Sequence, residues 1–124
     1  MRNPCDDRGM QAEATNEFCF LYSTFPNTNS AEAVARALVD AKLAACVNIH
    51  SPMTSFYVWQ GKREEEREVA AFIKTRRNLV DAVIRAARPL HPYTTPCFLV
   101  LPIEAGNGDY LAWARAQTEQ GTDI

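Results

Sequence analysis

Residues 43–75, LAACVNIHSPMTSFYVWQGKREEEREVAAFIKT, constrain the fold more than any other stretch of the chain. From Ala45 to Trp59 the composition is rich in Val, Ile, Phe, Tyr and Trp, residues suited to a pleated, half-buried surface. From Glu66 the pattern alternates. Glu66, Glu68, Ala70, Phe72 and Lys74 fall on one side, and Val69, Ala71, Ile73 and Thr75 on the other. Gln60–Glu65 is a polar connector with Gly61 at its turn. The stretch predicts two long antiparallel strands, the first broken or bulged at Pro52, which cannot donate to a ladder. With helices on one face, the other would expose Phe72 and aromatics of the 56–59 run beside charged residues. Such a mixed face predicts a subunit interface.

The rest of the chain fits around that hairpin. Glu17–Phe25 is almost continuously apolar and predicts a central strand covered on both faces. Asn29 or Ser30, with Glu32, predicts a helix cap, and Val34, Leu38 and Ala41 form the inward stripe of a helix ending near Lys42. Asn78 is a candidate cap for a second helix with Leu79, Val80, Val83, Ile84 and Ala87 inward, stopped by Pro89. Cys97–Ile103 predicts a short, fully buried strand. Gly106–Gly108 predicts a turn and Asp109–Gln117 an amphipathic helix. Residues 1–16 read as a loosely held extension, 17–117 as the domain and 118–124 as a fraying tail. The order is β-α-β-β-α-β plus a C-terminal helix. That is an α+β, ferredoxin-like sandwich with both helices on one face of an antiparallel sheet whose other face stays open.

Length and charge exclude several functions. At 124 residues the chain supports a core without metal or disulfide. A net charge of −2, with no basic stripe, predicts no nucleic-acid partner. No apolar run reaches ~18 residues, so no membrane span is expected. The N-terminus shows no signal-peptide h-region, so the cytoplasm is expected, and Cys5, Cys19, Cys46 and Cys97, which lack zinc spacing, are expected as reduced thiols. No nucleophile motif, zinc-protease motif or phosphate-binding glycine loop is present, so an enzyme is not expected. The most specialised piece is His91-Pro-Tyr-Thr-Thr-Pro96, a stiff loop carrying an imidazole and a phenol. In a trimer, His91 and Tyr93 are expected to line a cleft approached by a neighbouring subunit's hairpin, with Lys74, Glu68 and Trp59 as companions.

Five segments in this order, KLAACVNI at 42–49, SFYVWQGK at 55–62, EVAAFIKT at 68–75, HPYTTP at 91–96 and DYLAW at 109–113, resemble the CutA family of divalent-cation tolerance proteins. The resemblance covers about residues 17–117. It implies small ferredoxin-like subunits in a homotrimer and a role in tolerance to copper or another divalent cation. Some members carry a Cys in the first strand and a His-His pair before Pro-Tyr, proposed as copper ligands; here those positions hold Ser23 and Leu90, leaving His91. Where the family continues Pro-Glu, this chain has Pro96-Cys97, so His91 and Cys97 are the candidate metal ligands. The alternatives are a PII-like trimer binding a small ligand and a structural or partner-binding trimer without one.

Overall fold

The computed structural model describes residues 11–50 and 52–120. Its strands are β1 (Ala12–Ala14), β2 (Phe18–Phe25), β3 (Cys46–Ile49), β4 (Met53–Trp59), β5 (Lys62–Arg76), β6 (Leu99–Pro102) and β7 (Ala105–Asn107). Helices α1 (Thr28–Asp40), α2 (Val80–Ala87) and α3 (Gly108–Gln117) complete the chain, with 3₁₀ turns at Arg77–Leu79 and Arg88–Leu90. The main sheet has the antiparallel order β3-β5-β2-β6, and β4 continues the β3 edge of β5. This is the ferredoxin-like plan with a C-terminal helix. Among the described residues no helix is long and apolar enough to cross a membrane.

The predicted break at Pro52 is a register slip. Between the pairs Ile49↔Ala71 and Met53↔Glu68, four steps along the β3–β4 edge match three along β5. The extra residue makes a bulge between β3 and β4. The polar connector is much shorter than Gln60–Glu65. β5 already begins at Lys62, leaving a two-residue turn in which Gln60 (φ 51°) and Gly61 (φ 79°) are both left-handed. That turn matches the twist of the flanking strands, so Lys62–Glu65 are free to pair.

Leu21, Phe25, Val34, Leu38, Ile73 and Val83 form the centre of the core between sheet and helices. β2 is central in the sheet but covered on one face only: Leu21, Ser23 and Phe25 are buried, while Phe20, Tyr22 and Thr24 are half-buried on the face without helices. Asn27, not Asn29 or Ser30, caps α1, its side chain accepting from the Ser30 amide at 2.8 Å. The helix stops at Asp40, and Ala31 rather than Ala41 completes its buried stripe. Asn78 lies inside the 3₁₀ turn and caps nothing; α2 continues that turn from Val80. The expected buried strand 97–103 is shortened to β6, and its Leu99 and Leu101 are 59% and 43% exposed. It is the sheet edge, pairing with β2 alone.

The described residues that flank the domain, 11–16 and 118–120, are more ordered than their composition suggests. Residues 1–10 and 121–124 lie outside the described residues. β1, within the segment read as loosely held, pairs antiparallel with β7, which takes up Gly106 and Asn107 of the expected 106–108 turn, while Gly108 opens α3. Glu13 sits so close to the start of α3 that a Cβ on Gly108 would occupy the place of its carboxylate. A carboxylate there also opposes the positive end of the helix. α3 buries Leu111 and Ala114 but leaves Tyr110 and Trp113 exposed. Thr118, expected to fray, is fully buried and is held by the Arg76 guanidinium at its carbonyl (2.6 Å) and hydroxyl (3.0 Å).

Candidate functional site

The stiff loop after α2 folds over the end of the sheet where β2 gives way to α1. His91 is 7% exposed and lies flat on Phe25, with ring centroids 4.4 Å apart and planes 21° apart. Its Nε2 donates to the Thr24 carbonyl at 2.8 Å, and its Nδ1 accepts from the Tyr93 amide at 3.1 Å. Both ring nitrogens are therefore occupied in the neutral Nε2–H tautomer. Burial holds the imidazole below its ordinary pKa, against the opposing pull of the Thr24 carbonyl and Glu68.

The next turn of the loop ties to the hairpin. The Tyr93 hydroxyl donates to Glu68 Oε2 at 2.7 Å, and Glu68 is itself buried. Burial first, then this bond and the Glu68 charge, push the Tyr93 phenol well above its usual pKa. Tyr93 is thus a permanent donor at physiological pH. The Cys97 thiol is also pushed up, by burial and then by Glu68, so it stands as a protonated thiol.

Above this network lies a cleft of about 410 Å³, walled by the loop (Pro92, Tyr93, Cys97), by Thr24 of β2 and by Tyr57 and Trp59 of β4. Trp59, Tyr93 and Cys97, picked out from sequence, do line it. Glu68 lies beneath, through Tyr93. His91 is under the floor and positions the loop. Lys74 is elsewhere: six residues along β5 from Glu68, about 20 Å in an extended strand, with its Nζ over the rings of Phe20 (5.6 Å) and Tyr110 (5.7 Å). The hairpin that walls the cleft is the chain's own. Tyr57 was missed from sequence, although its spacing of two from Trp59 puts both on one strand face. Thr24 was missed because its contribution to His91 is a backbone carbonyl, which carries no residue signal.

A resident metal does not fit the described residues of one chain. They contain no group of three or more His, Cys, Asp and Glu side chains able to hold an ion. The expected role of His91 as a ligand meets an imidazole with no free lone pair, since Nδ1 accepts from Tyr93 and Nε2 carries the proton given to Thr24. Cys97 remains as an isolated soft donor in the cleft.

A family model described as CutA1 divalent ion tolerance protein matches residues 19–117. Protein CutA of Homo sapiens is 45% identical over 102 residues, 82% of this chain and 57% of that protein. The divalent-cation tolerance protein CutA of Archaeoglobus fulgidus is 44% identical over 94 residues, covering 76% of this chain and 91% of that protein. The chain spans 55–61% of the length of the vertebrate relatives it matches. Among solved structures, CutA from Synechococcus elongatus PCC7942 superposes with a TM-score of 0.84 at 34% identity, covering 88% of this chain and 96% of that one. CutA1 from Oryza sativa gives 0.81 at 36% identity, covering 88% and 100%.

Proposed function

Since the chain belongs to the CutA1 divalent ion tolerance family, we propose that it serves the response to divalent cations as a homotrimer, with copper held weakly where groups of neighbouring subunits meet. The observation that carries the assembly is the sheet face without helices. Phe72 packs there against Phe20 and Tyr22, with ring centroids 6.1 and 5.3 Å apart. Tyr22 pairs with Leu99 and Phe20 with Leu101 on the exposed edge. A monomer would leave this continuous apolar face in water. Weak metal binding is in keeping with the half-buried Cys97 thiol in the cleft and with the absence of a ligand cluster among the described residues of one chain. The free thiols Cys19, Cys46 and Cys97 favour a reducing compartment, the cytoplasm, although the Archaeoglobus fulgidus relative of known structure is described as periplasmic. The family description names tolerance and no reaction, and we propose no catalytic step. The two-residue Gln60–Gly61 turn leaves no room for the long mobile loop of a PII-like signalling trimer.

Light scattering after size exclusion tests the assembly. The expected mass is three times the 13.9 kDa chain, and Phe72→Glu should lower it by leaving an unpaired charge in the interface. A monomeric wild type would sink the proposal. In a Cu(I) titration, Cys97→Ser should weaken binding while His91→Ala, well clear of the ion, should change it little.

A further inference from the structure

We propose that the cleft between the β4–β5 hairpin and the 92–97 loop binds a small organic cation of the alkylammonium class, through the rings of Tyr57, Trp59 and Tyr93 and the carboxylates beside them. Three aromatic side chains wall one cleft of about 410 Å³, and none of the residues lining it carries a positive charge. Aromatic faces attract a cation, and they do so best where water is partly excluded.

The strand register supplies the negative charge. Tyr57 pairs with Glu64, Ser55 with Glu66 and Met53 with Glu68, and residues directly opposite share a face of the ribbon. Glu64, Glu66 and Glu68 therefore line up on the face that carries Tyr57 and Trp59. Arg63 and Arg67 belong to the opposite face, where Arg63 pairs with Glu65 at 3.2 Å. Lys62, opposite Trp59, is the one basic residue of the hairpin on the cleft side, and it sits at the turn. The carboxylates are felt inside the cleft. After burial, Glu66, Glu68 and Glu64 push the Tyr57 phenol up, and Glu68 and Glu66 act on Tyr93.

Within one chain, the same residues suit an organic cation better than a bare metal ion, which would need groups from a neighbouring subunit. The walls are rings and hydroxyls, with one protonated thiol, and the nearest buried carboxylate is already bound by Tyr93. Dehydrating a metal ion needs oxygens or thiolates in a set, and none is present among the described residues. An alkylammonium ion carries its own apolar shell, suits aromatic walls and needs only diffuse negative charge. Tyr93 is fixed for this from both sides, its hydroxyl on Glu68 and its amide on His91.

The inference rests on the homotrimer reading in one respect, that the neighbouring subunits must leave this cleft open, and the test separates the two. Choline is titrated into the Trp113→Phe protein, leaving Trp59 as the fluorescent reporter, with ionic strength matched by sodium chloride. Dimethylbutanol, the same shape with carbon in place of nitrogen, is titrated in parallel. Expected is a saturable Trp59 signal with choline in the millimolar range, and binding of the neutral isostere about tenfold weaker. Glu66→Gln and Tyr57→Leu, both at exposed positions, should each weaken choline about threefold or more without changing the mass by light scattering. Equal binding of the two probes would reduce the cleft to an apolar groove and overturn the inference. So would the absence of a saturable choline signal in a protein that is trimeric by mass. Choline binding by a protein that proves monomeric would uphold the inference and sink the assembly reading alone.

Discussion

The two halves of β5 share a backbone conformation and little else. Val69–Arg76 pairs with β2, and within it the stretch from Ala71 to Lys74 also pairs with β3. Val69, Ala71 and Ile73 belong to the core with α1 and α2, and Thr75 is buried with its hydroxyl on the Leu43 carbonyl. Lys62–Glu68 pairs with β4 alone, and every residue from Phe56 to Arg63 is exposed. One half is held by burial within the chain, the other by a single ladder, a tight turn and, at its inner end, the Tyr93–Glu68 bond. An isolated two-stranded ribbon is marginal in water. The arm survives because its strand is continuous with one anchored in the core, and its aromatics remain available to a neighbour or a ligand.

The sharpest way to break this comparison is a matched pair of truncations. In the Phe72→Glu background, where assembly does not contribute, Phe25→Ala should cost about 3–5 kcal/mol in urea unfolding, because a fully buried ring leaves a cavity. Phe56→Ala, at a 63% exposed position, should cost less than about 0.5 kcal/mol. Comparable losses would mean that the arm is buried within its own chain.

The same contrast explains what could be read from sequence. The alternation of Val69, Ala71, Ile73 and Thr75 is local, and it located the buried side of β5 without further information. Pro52 marked the bulge because a missing donor is a property of one residue. Leu99–Leu101 misled, since apolar content does not say whether the covering surface belongs to the same chain. β1 and Thr118 were invisible because their order comes from long-range partners, β7 and Arg76. In the site, Trp59 and Tyr93 stood out as aromatics in a hairpin and a stiff loop. The occupation of both His91 nitrogens depends on one carbonyl and one amide, which no residue pattern announces.

A smaller effect is expected at Ser23. Its hydroxyl is fully buried on the helix side of β2 and has no hydrogen-bond partner among the described residues. A stranded polar group of this kind carries a desolvation cost of about 1–3 kcal/mol. Ser23→Ala should therefore raise stability, by about 1 kcal/mol after the lost packing, seen as a melting temperature about 4 °C higher. A fall would show that the hydroxyl has a partner.

His91 gives the packed end of the sheet a pH dependence. Burial lowers its pKa in the folded state, so the unfolded chain takes up the proton first as the pH falls below 6.5. Its stabilising contribution is complete above that value and is lost as the pH falls towards the folded-state pKa. Between about pH 7.5 and pH 5.5 the wild type should lose more melting temperature than His91→Gln. Parallel losses would remove His91 from the account.

The least effect is expected at Glu17, where β2 meets α3. Its carboxylate accepts from Arg115 Nη2 at 2.8 Å and Nε at 2.9 Å, and lies 3.7 Å from Arg76. The Arg115 bond, more than the charges of Arg115 and Arg76, holds its pKa below 4.5 despite some desolvation. The contribution is therefore present above pH 4.5 and disappears as the pH falls through the lower folded-state value. Solvent around Arg115 screens the pair, so the gain is small. Glu17→Gln should melt about 1–2 °C below wild type at neutral pH, and the two should converge in acid. Arg76 also holds Thr118, so the loss should loosen the end of α3 before the sheet, visible as faster amide exchange at 114–118. An unchanged exchange pattern would mean that Thr118 is held without help from Glu17.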